Sequence, residues 1–355
     1  MSLSIGIVGF PNVGKSTLFQ TITKKQVDCA NYPFCTIDPN VGVVSVPDDR
    51  LEEIAKVIEP KKKTYSTVEF IDIAGIVEGA SKGEGLGNKF LANIRETDVI
   101  VYVLRLFKDD NIISVRNEID PLREQNLLDT ELGLKDIETL EKRIHGLEKE
   151  VRAQKKEAIV EVAVLKKAKE MLEEGKFLYQ GEFEKDEKKI LLPYQLLTLK
   201  PRLYLLNGKD SDLSPDLVEK FNKKGVLFLV IDLLEEHETA GFTHDERIAL
   251  GLPELSKIDE LIRRSYELLG LVTFFTAGPE EVRAWKIKEG SRAPEAGGKI
   301  HSEFEKHFIK AEVIKWTELI EVGGFQEAKK KGLIRIEGKD YIVCDGDVIE
   351  IKHNA

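Results

Sequence analysis

Residues 9–16 are Gly-Phe-Pro-Asn-Val-Gly-Lys-Ser, which matches the full pattern of a phosphate-binding loop. The apolar run at 4–9, which ends in the first glycine of this loop, is typical of a buried strand, and residues 17–22 after the loop have a helical pattern. In this context the glycines let backbone N–H groups point at a phosphate, beside the positive end of the helix. We therefore predict a nucleotide-binding loop formed by Asn12, Val13, Gly14, Lys15, Ser16 and Thr17.

Further apolar runs alternate with helical stretches along the first 270 residues. They occur at 68–73, 99–104, 202–206 and 226–231. Continuous apolar strands separated by helices are typical of a mostly parallel sheet that is covered on both faces. We predict an α/β fold, with a P-loop domain of the Ras-like type formed by residues 1–130 and 201–270.

The composition changes between 131 and 200, and no glycine or proline occurs from 147 to 174. The step of four and three that marks a coiled-coil seam is present at Leu140, Ile144, Leu147 and Val151. We interpret this region as an inserted α-helical coiled-coil hairpin with a basic tip. The alternative is one more solvated surface helix.

The C-terminal region has a different pattern again. Short alternating runs at 273–276, 282–285, 333–336 and 341–343 are typical of strands, and turn-forming residues separate the later ones. We predict a small, separate α+β domain over residues 271–355.

Composition narrows the class of protein. The net charge of −10 argues against coating nucleic acid with the whole surface but leaves room for a local basic patch. Three scattered cysteines suit a reducing compartment better than a disulfide framework or a zinc site. No apolar run approaches the roughly 18 residues of a membrane span, and the N-terminus does not resemble a secretion signal. We expect a cytoplasmic protein that does not bind membranes.

A magnesium and γ-phosphate site is predicted from the segments after the loop. Asp72-Ile73-Ala74-Gly75 follows an apolar strand, 57 residues beyond Lys15. An Asp at that point can hold Mg²⁺ through water, and the N–H of Gly75 can reach a γ-phosphate. Thr36 lies in a non-periodic segment where a threonine could close over Mg²⁺. We assign Ser16, Thr36 and Asp72 to the metal, and Lys15, Thr36 and Gly75 to catalysis.

The base-binding residues are predicted in Asn207-Gly208-Lys209-Asp210, after the apolar run at 202–206. We assign Asn207 and Asp210 to the purine, since a carboxylate can accept from N1–H and the 2-amino group of guanine. The usual guanine-binding motif has lysine in second place, whereas Lys209 is third.

These motifs together resemble the YchF-type ATPases, a branch of the Obg-related P-loop proteins. The similarity covers the loop at 9–17, the segment Asn31–Asn40, the glycine-rich segment at 72–87, and stretches from Thr273 to Asp347. The resemblance implies a G domain, an inserted helical hairpin at 131–200 and a ubiquitin-like (β-grasp) TGS domain at 271–355. It also implies hydrolysis of ATP in preference to GTP, and a ribosome-associated role in translation control and stress response.

Three positions depart from the family pattern. The family usually has glutamate at the position of Asp210, and a histidine proposed to aid hydrolysis where this chain has Ser114. The small-residue loop that supports the base is here Ile231-Asp232-Leu233-Leu234. Ile76, after the Asp-x-x-Gly motif, is a family trait, but isoleucine cannot orient the attacking water.

Two functions fit these residues. The first is a ribosome-associated switch that hydrolyses ATP, and GTP as well, slowly and with Mg²⁺. The second is a sensor that binds nucleotide with negligible turnover, which Ile76 and Ser114 favour. A metabolic kinase is disfavoured because no lid or acceptor-site motif accompanies the loop.

The remaining expectations concern a second cation and partners. Asn12 matches a position that helps hold K⁺ in potassium-dependent relatives, although an asparagine can also simply stabilise the turn. We expect a monomer that binds the large ribosomal subunit or the whole ribosome and its RNA. The hairpin tip, with Lys155 and Lys156, is one expected contact and the C-terminal domain is another.

Overall fold

The computed structural model describes residues 3–27, 40–73, 86–107, 119–253 and 255–354. The chain forms two compact units, one comprising Met1–Gly42 and Glu69–Ile258, and the other Val43–Val68 and Asp259–Ala355. In the described ranges, no helix is long and apolar enough to cross a membrane.

The elements alternate along the chain. The strands are β1 (Ser4–Val8), β2 (Val41–Ser45), β3 (Lys62–Thr64), β4 (Thr67–Asp72), β5 (Val99–Arg105), β6 (Arg202–Asn207), β7 (Phe228–Ile231), β8 (Leu271–Ala277), β9 (Glu281–Lys288), β10 (Phe308–Lys315), β11 (Arg335–Glu337) and β12 (Asp347–His353). The α-helices are α1 (Lys15–Thr23), α2 (Asp49–Ile58), α3 (Leu86–Glu96), α4 (Pro121–Arg152), α5 (Lys156–Glu173), α6 (Lys185–Leu191), α7 (Pro215–Lys223), α8 (Leu233–Glu238), α9 (His244–Ala249), α10 (Lys257–Leu268), α11 (Ala293–Ile300), α12 (Ser302–Lys306), α13 (Trp316–Val322) and α14 (Phe325–Lys330).

The first sheet confirms the predicted parallel arrangement. Its strand order is β2-β4-β1-β5-β6-β7, and the pairs of β1 with β4 and β5, β5 with β6, and β6 with β7 are all parallel. Every residue of β1, β5 and β6 is buried, as expected for strands covered on both faces. Because these strands are parallel, their carboxyl ends meet at one edge, where ligands bind in open α/β sheets.

The inserted hairpin is present as two long helices, α4 and α5, joined by a turn at 153–155. All four predicted seam residues contribute to its apolar cluster, with Leu140 and Leu147 buried and Ile144 and Val151 partly buried. α4 begins at Pro121, ten residues before the predicted start, because Asp120 caps it by accepting from the N–H of Arg123. Its first turns pack Leu128 and Leu132 into the core of the sheet.

The second unit contains a mixed sheet in the order β11-β10-β12-β8-β9-β3. β8 pairs antiparallel with β9 and parallel with β12, and the apolar cluster beneath includes Ala293 and Ala296 of α11. The strand predicted at 341–343 is wrong: Ile342 forms only an isolated bridge with Arg292. This segment bonds to 291–293 instead of the sheet, since Val343 N donates to Ser291 O.

The chain is divided at points that the sequence pattern does not mark. Residues 43–68 belong to the second unit, where β3 pairs with β9 and Leu51 and Ile54 of α2 enter its core. The predicted domain boundaries stay predictions, and so does the ubiquitin-like assignment of residues 271–355.

Candidate functional site

The phosphate-binding loop connects β1 to α1 at the carboxyl edge of the sheet. Gly14 caps α1 with a φ of 107°, in the left-handed region that favours glycine. A Cβ on Gly14 would lie 2.4 Å from Asn207 Nδ2, and one on Gly9 would lie 2.5 Å from the carbonyl oxygen of Val103. The loop is therefore held so closely against β5 and β6 that only glycine fits at these two positions.

Asn12 also adopts a left-handed conformation, with a φ of 63°. Asparagine tolerates this region better than most residues with a side chain. Its identity is thus explained in part by the turn of the loop.

Lys15 is the first residue of α1 and reaches across the loop. Its Nζ donates to the carbonyl oxygen of Phe10 at 2.7 Å. Burial lowers the pKa of Lys15, while the carboxylates of Asp72 and Glu124 act in the opposite direction. A bound phosphate would give this ammonium an anionic oxygen as acceptor, in place of the neutral carbonyl oxygen of Phe10. A hydrogen bond between two charged groups is stronger than one to a neutral acceptor.

Asp72 ends β4, next to the loop. Its backbone N donates to Asn40 O at 2.9 Å, and the following N–H, of Ile73, donates to Ile7 O. Burial raises the pKa of Asp72, and the charge of Lys15 counters that rise. The structure thus brings Asp72 and Lys15 close enough for each charge to act on the other.

The residues present fit Mg²⁺. Ser16 offers an exposed hydroxyl and Asp72 a half-buried carboxylate, and the described residues contain no cluster of three or more His, Cys, Asp or Glu that could hold a metal alone. Mg²⁺ usually takes one or two protein ligands and completes its shell with phosphate oxygens and water. Thr36, Gly75, Ile76 and Ser114 lie outside the described residues.

Asn207, predicted to contact the base, ends β6 and lies against the loop. Its Nδ2 donates to Val13 O at 2.9 Å, and its Oδ1 accepts from Leu233 N at 3.2 Å. Asn207 is buried, so these bonds fix the loop to the turn between β7 and α8. In that turn Asp232 accepts from the N–H groups of Leu234 and Glu235 and caps α8.

Asp210 lies at a cavity of about 200 Å³. The cavity is lined by Gly208, Lys209, Asp210, Asp232, Glu235, Glu236, Pro253 and Lys257. Asp210 Oδ2 pairs with Lys257 Nζ at 2.8 Å, an interaction that the sequence analysis missed. Lys257 is 47 residues away in the chain and belongs to no motif.

Glu124 is a second residue that sequence reasoning missed. It lies in the first turn of α4, and its Oε2 accepts from the backbone N of Arg105, the last residue of β5. Burial raises the pKa of Glu124 to about 7, against the hydrogen bond and charge of Arg105. The Asp120-Pro121 helix start is a signal that could have located this turn.

Comparison with known proteins agrees with this geometry. A family model described as a 50S ribosome-binding GTPase matches residues 4–167. A model for the C-terminal region of YchF GTPases, described as a protein of unknown function, matches residues 271–354.

Full-length relatives are also similar to the chain. The ribosome-binding ATPases YchF of Bacillus subtilis and Haemophilus influenzae are 46% and 45% identical, and each alignment covers both chains completely. The structure of the Schizosaccharomyces pombe YchF GTPase matches with a TM-score of 0.87 at 34% identity, over 99% of this chain and 98% of that one. The resemblance found in the motifs is thereby confirmed, and the chain belongs to the YchF family.

Proposed function

We propose that this protein is a Mg²⁺-dependent hydrolase of purine nucleoside triphosphates that works as a ribosome-associated switch in the cytoplasm. The observation that carries the proposal is the convergence of Lys15, Asp72 and Asn207 at one edge of the sheet. Its relatives in Bacillus subtilis and Haemophilus influenzae are named ribosome-binding ATPases, and the solved relative is titled a GTPase. We take ATP and GTP as substrates, nucleoside diphosphate and phosphate as products, and a monomer as the working form.

The described residues divide the work of binding. The loop's backbone N–H groups, with Lys15, bind the β- and γ-phosphates and stabilise the charge of the transition state. Ser16 and Asp72, with Thr36, would hold Mg²⁺, which when bound neutralises charge on those phosphate oxygens. Gly75 would add an N–H to the γ-phosphate. Asn207 holds the loop in position, since its amide bonds to Val13 and Leu233.

Intrinsic turnover is proposed to be slow. Ile76 offers no hydrogen bond to water, and the hydroxyl of Ser114 is a poor substitute for an imidazole base. Asn12 is the residue through which K⁺ could supply additional positive charge. Equal turnover in potassium and sodium buffers would leave Asn12 with its turn-forming role alone.

Single-turnover phosphate release, measured with and without ribosomes, tests the function. We expect slow release from ATP that depends on Mg²⁺ and is accelerated by ribosomes. The alternative is a sensor that binds nucleotide with negligible turnover, and tight binding without phosphate release under either condition would support it. Failure to bind either triphosphate would contradict both functions.

A further inference from the structure

The base end of the site contains a pair of opposite charges. Asp210 follows β6, and Lys257 is the first residue of α10; their Oδ2 and Nζ atoms are 2.8 Å apart. The same Nζ donates to the carbonyl oxygen of Val230, at 3.0 Å, near the end of β7. The cavity that Asp210 and Lys257 line thus has an acceptor and a donor side by side.

The backbone at Lys257 is held by buried groups. Its backbone N donates to Glu236 Oε1 at 3.0 Å, and that oxygen also accepts from Arg247 Nη2 at 3.3 Å. The side chains of Glu236 and Arg247 are both only 5% exposed. Arg247 Nε donates to Pro253 O, in the cavity wall. These bonds fix the point from which the Lys257 side chain reaches Asp210, while the ion pair itself is partly exposed and contributes little to stability.

The donor and acceptor groups of the purines explain what the pair can do. A carboxylate alone only accepts, which suits the N1–H and 2-amino group of guanine and opposes the lone pair on adenine N1. An ammonium beside it adds a donor. Adenine can then accept at N1 from the ammonium and donate its 6-amino group to the carboxylate. Guanine can accept at O6 from the ammonium and donate N1–H to the carboxylate.

We propose that Lys257 determines the base specificity of this site, and that the Lys257–Asp210 pair accepts adenine and guanine nucleotides with similar affinity. The proposal rests on the proposed function, because it assumes that the triphosphate occupies the loop at 9–17. It goes further by naming the pair, rather than Asp210 alone, as the group that contacts the base.

Competition binding with non-hydrolysable ATP and GTP analogues tests the pair from both sides. The full-length protein should bind both with affinities that differ by less than about a hundredfold, 2.7 kcal/mol. Lys257→Met leaves only acceptors and should shift the ratio at least about tenfold toward GTP, through lost ATP affinity. Asp210→Asn removes the charged acceptor and should shift the ratio about tenfold toward ATP. Lys223→Met, on the exposed face of α7, is the matched control and should leave the ratio unchanged.

The outcomes separate the two proposals. An unchanged ratio in a folded Lys257→Met or Asp210→Asn protein would overturn the role of the pair while leaving the hydrolase intact. A preference above a hundredfold in the unsubstituted protein would overturn it as well. Failure of the unsubstituted protein to bind either analogue would instead overturn the proposed function. Thermal unfolding checks that each variant folds. Should Lys257→Met not fold, Asp210→Asn still tests the pair, because Asp210 is exposed.

Discussion

The phosphate end and the base end of the candidate site are built in different ways. At the candidate phosphate end the proposed ligand-binding groups belong to one continuous loop, which Gly9 and Gly14 allow to pack closely against β5 and β6. At the proposed base end the groups are side chains from separate elements, and Lys257 reaches Asp210 from the start of α10. A site made from consecutive backbone groups can be identified in a sequence, whereas a site assembled from distant side chains cannot.

Removing the central charge of the phosphate end should give the largest effect. Lys15→Ala is expected to weaken binding of ATP and GTP alike by about a thousandfold, about 4 kcal/mol, because charge-assisted bonds to phosphate are lost. The fold should persist, since the hydrogen bond that the ammonium makes to a described residue stays within its own loop, to Phe10. Isothermal titration gives the affinities.

Lys220→Ala is the control for the charge, as Lys220 is exposed on α7 and pairs with Asp216. Unchanged affinity for both triphosphates in Lys15→Ala would contradict the placement of the phosphates.

Substitution of Gly14 tests whether the loop needs a glycine where it packs against β6. Gly14→Ala combines a left-handed φ with a clash against Asn207 Nδ2, and we expect a loss of about 3 kcal/mol in the free energy of unfolding. Gly225→Ala isolates the cost of the left-handed φ. Gly225 has a φ of 63°, and apart from its chain neighbours no atom of the described residues lies within 4 Å of the added Cβ. That variant should lose only about 1 kcal/mol. Urea unfolding measures both, and equal losses would mean that the loop tolerates the methyl group.

Sequence patterns predicted the parts of the structure that depend on residues close together in the chain. The loop, the parallel strands and the hairpin seam follow from residues that are near one another in the chain. In contrast, β3 is Lys-Lys-Thr with two exposed lysines, so no apolar alternation marks it as a strand. Its pairing with β9, like that of Lys257 with Asp210, depends on tertiary contacts. The bond between Glu124 and Arg105 likewise joins two elements, α4 and β5, that are separated in the chain.

The titration of the Glu124 carboxyl group can be measured without nucleotide, and it reports on the charges near the loop. Its pKa in the folded protein, about 7, exceeds the ordinary value of 4.5, so between these values the unfolded chain releases the proton and the folded one retains it. The glutamate should therefore lower the free energy of unfolding as pH rises from about 4.5 to 7. Among the described residues, Arg105, Asp120 and Lys15 are the charged groups that act on it.

Glu124→Gln keeps an acceptor for Arg105 N and removes this titration. The free energy of unfolding of Glu124→Gln, relative to that of the unsubstituted protein, should rise by on the order of 2 kcal/mol from pH 5 to pH 8. Glu138→Gln, at an exposed position of α4, is the control and should show no such change. Parallel pH profiles for Glu124→Gln and the unsubstituted protein would show that the carboxyl group is not buried as described.

The smallest effect is expected at the hairpin tip. The sequence shows the lysines there, but it does not show which acidic residues pair with them. Lys155, next to the turn, pairs with Glu150 at 2.9 Å. Part of the positive charge predicted there is thus neutralised within the protein. Reversing Lys155 and Lys156 to Glu should weaken ribosome co-sedimentation by only a fewfold at low salt, and less as salt screens the contact. Reversing Lys220 and Lys223 on α7 makes the same charge change away from the tip and is the control. If the tip variant co-sediments as well as this control at low salt, the tip does not contact the ribosome through these charges.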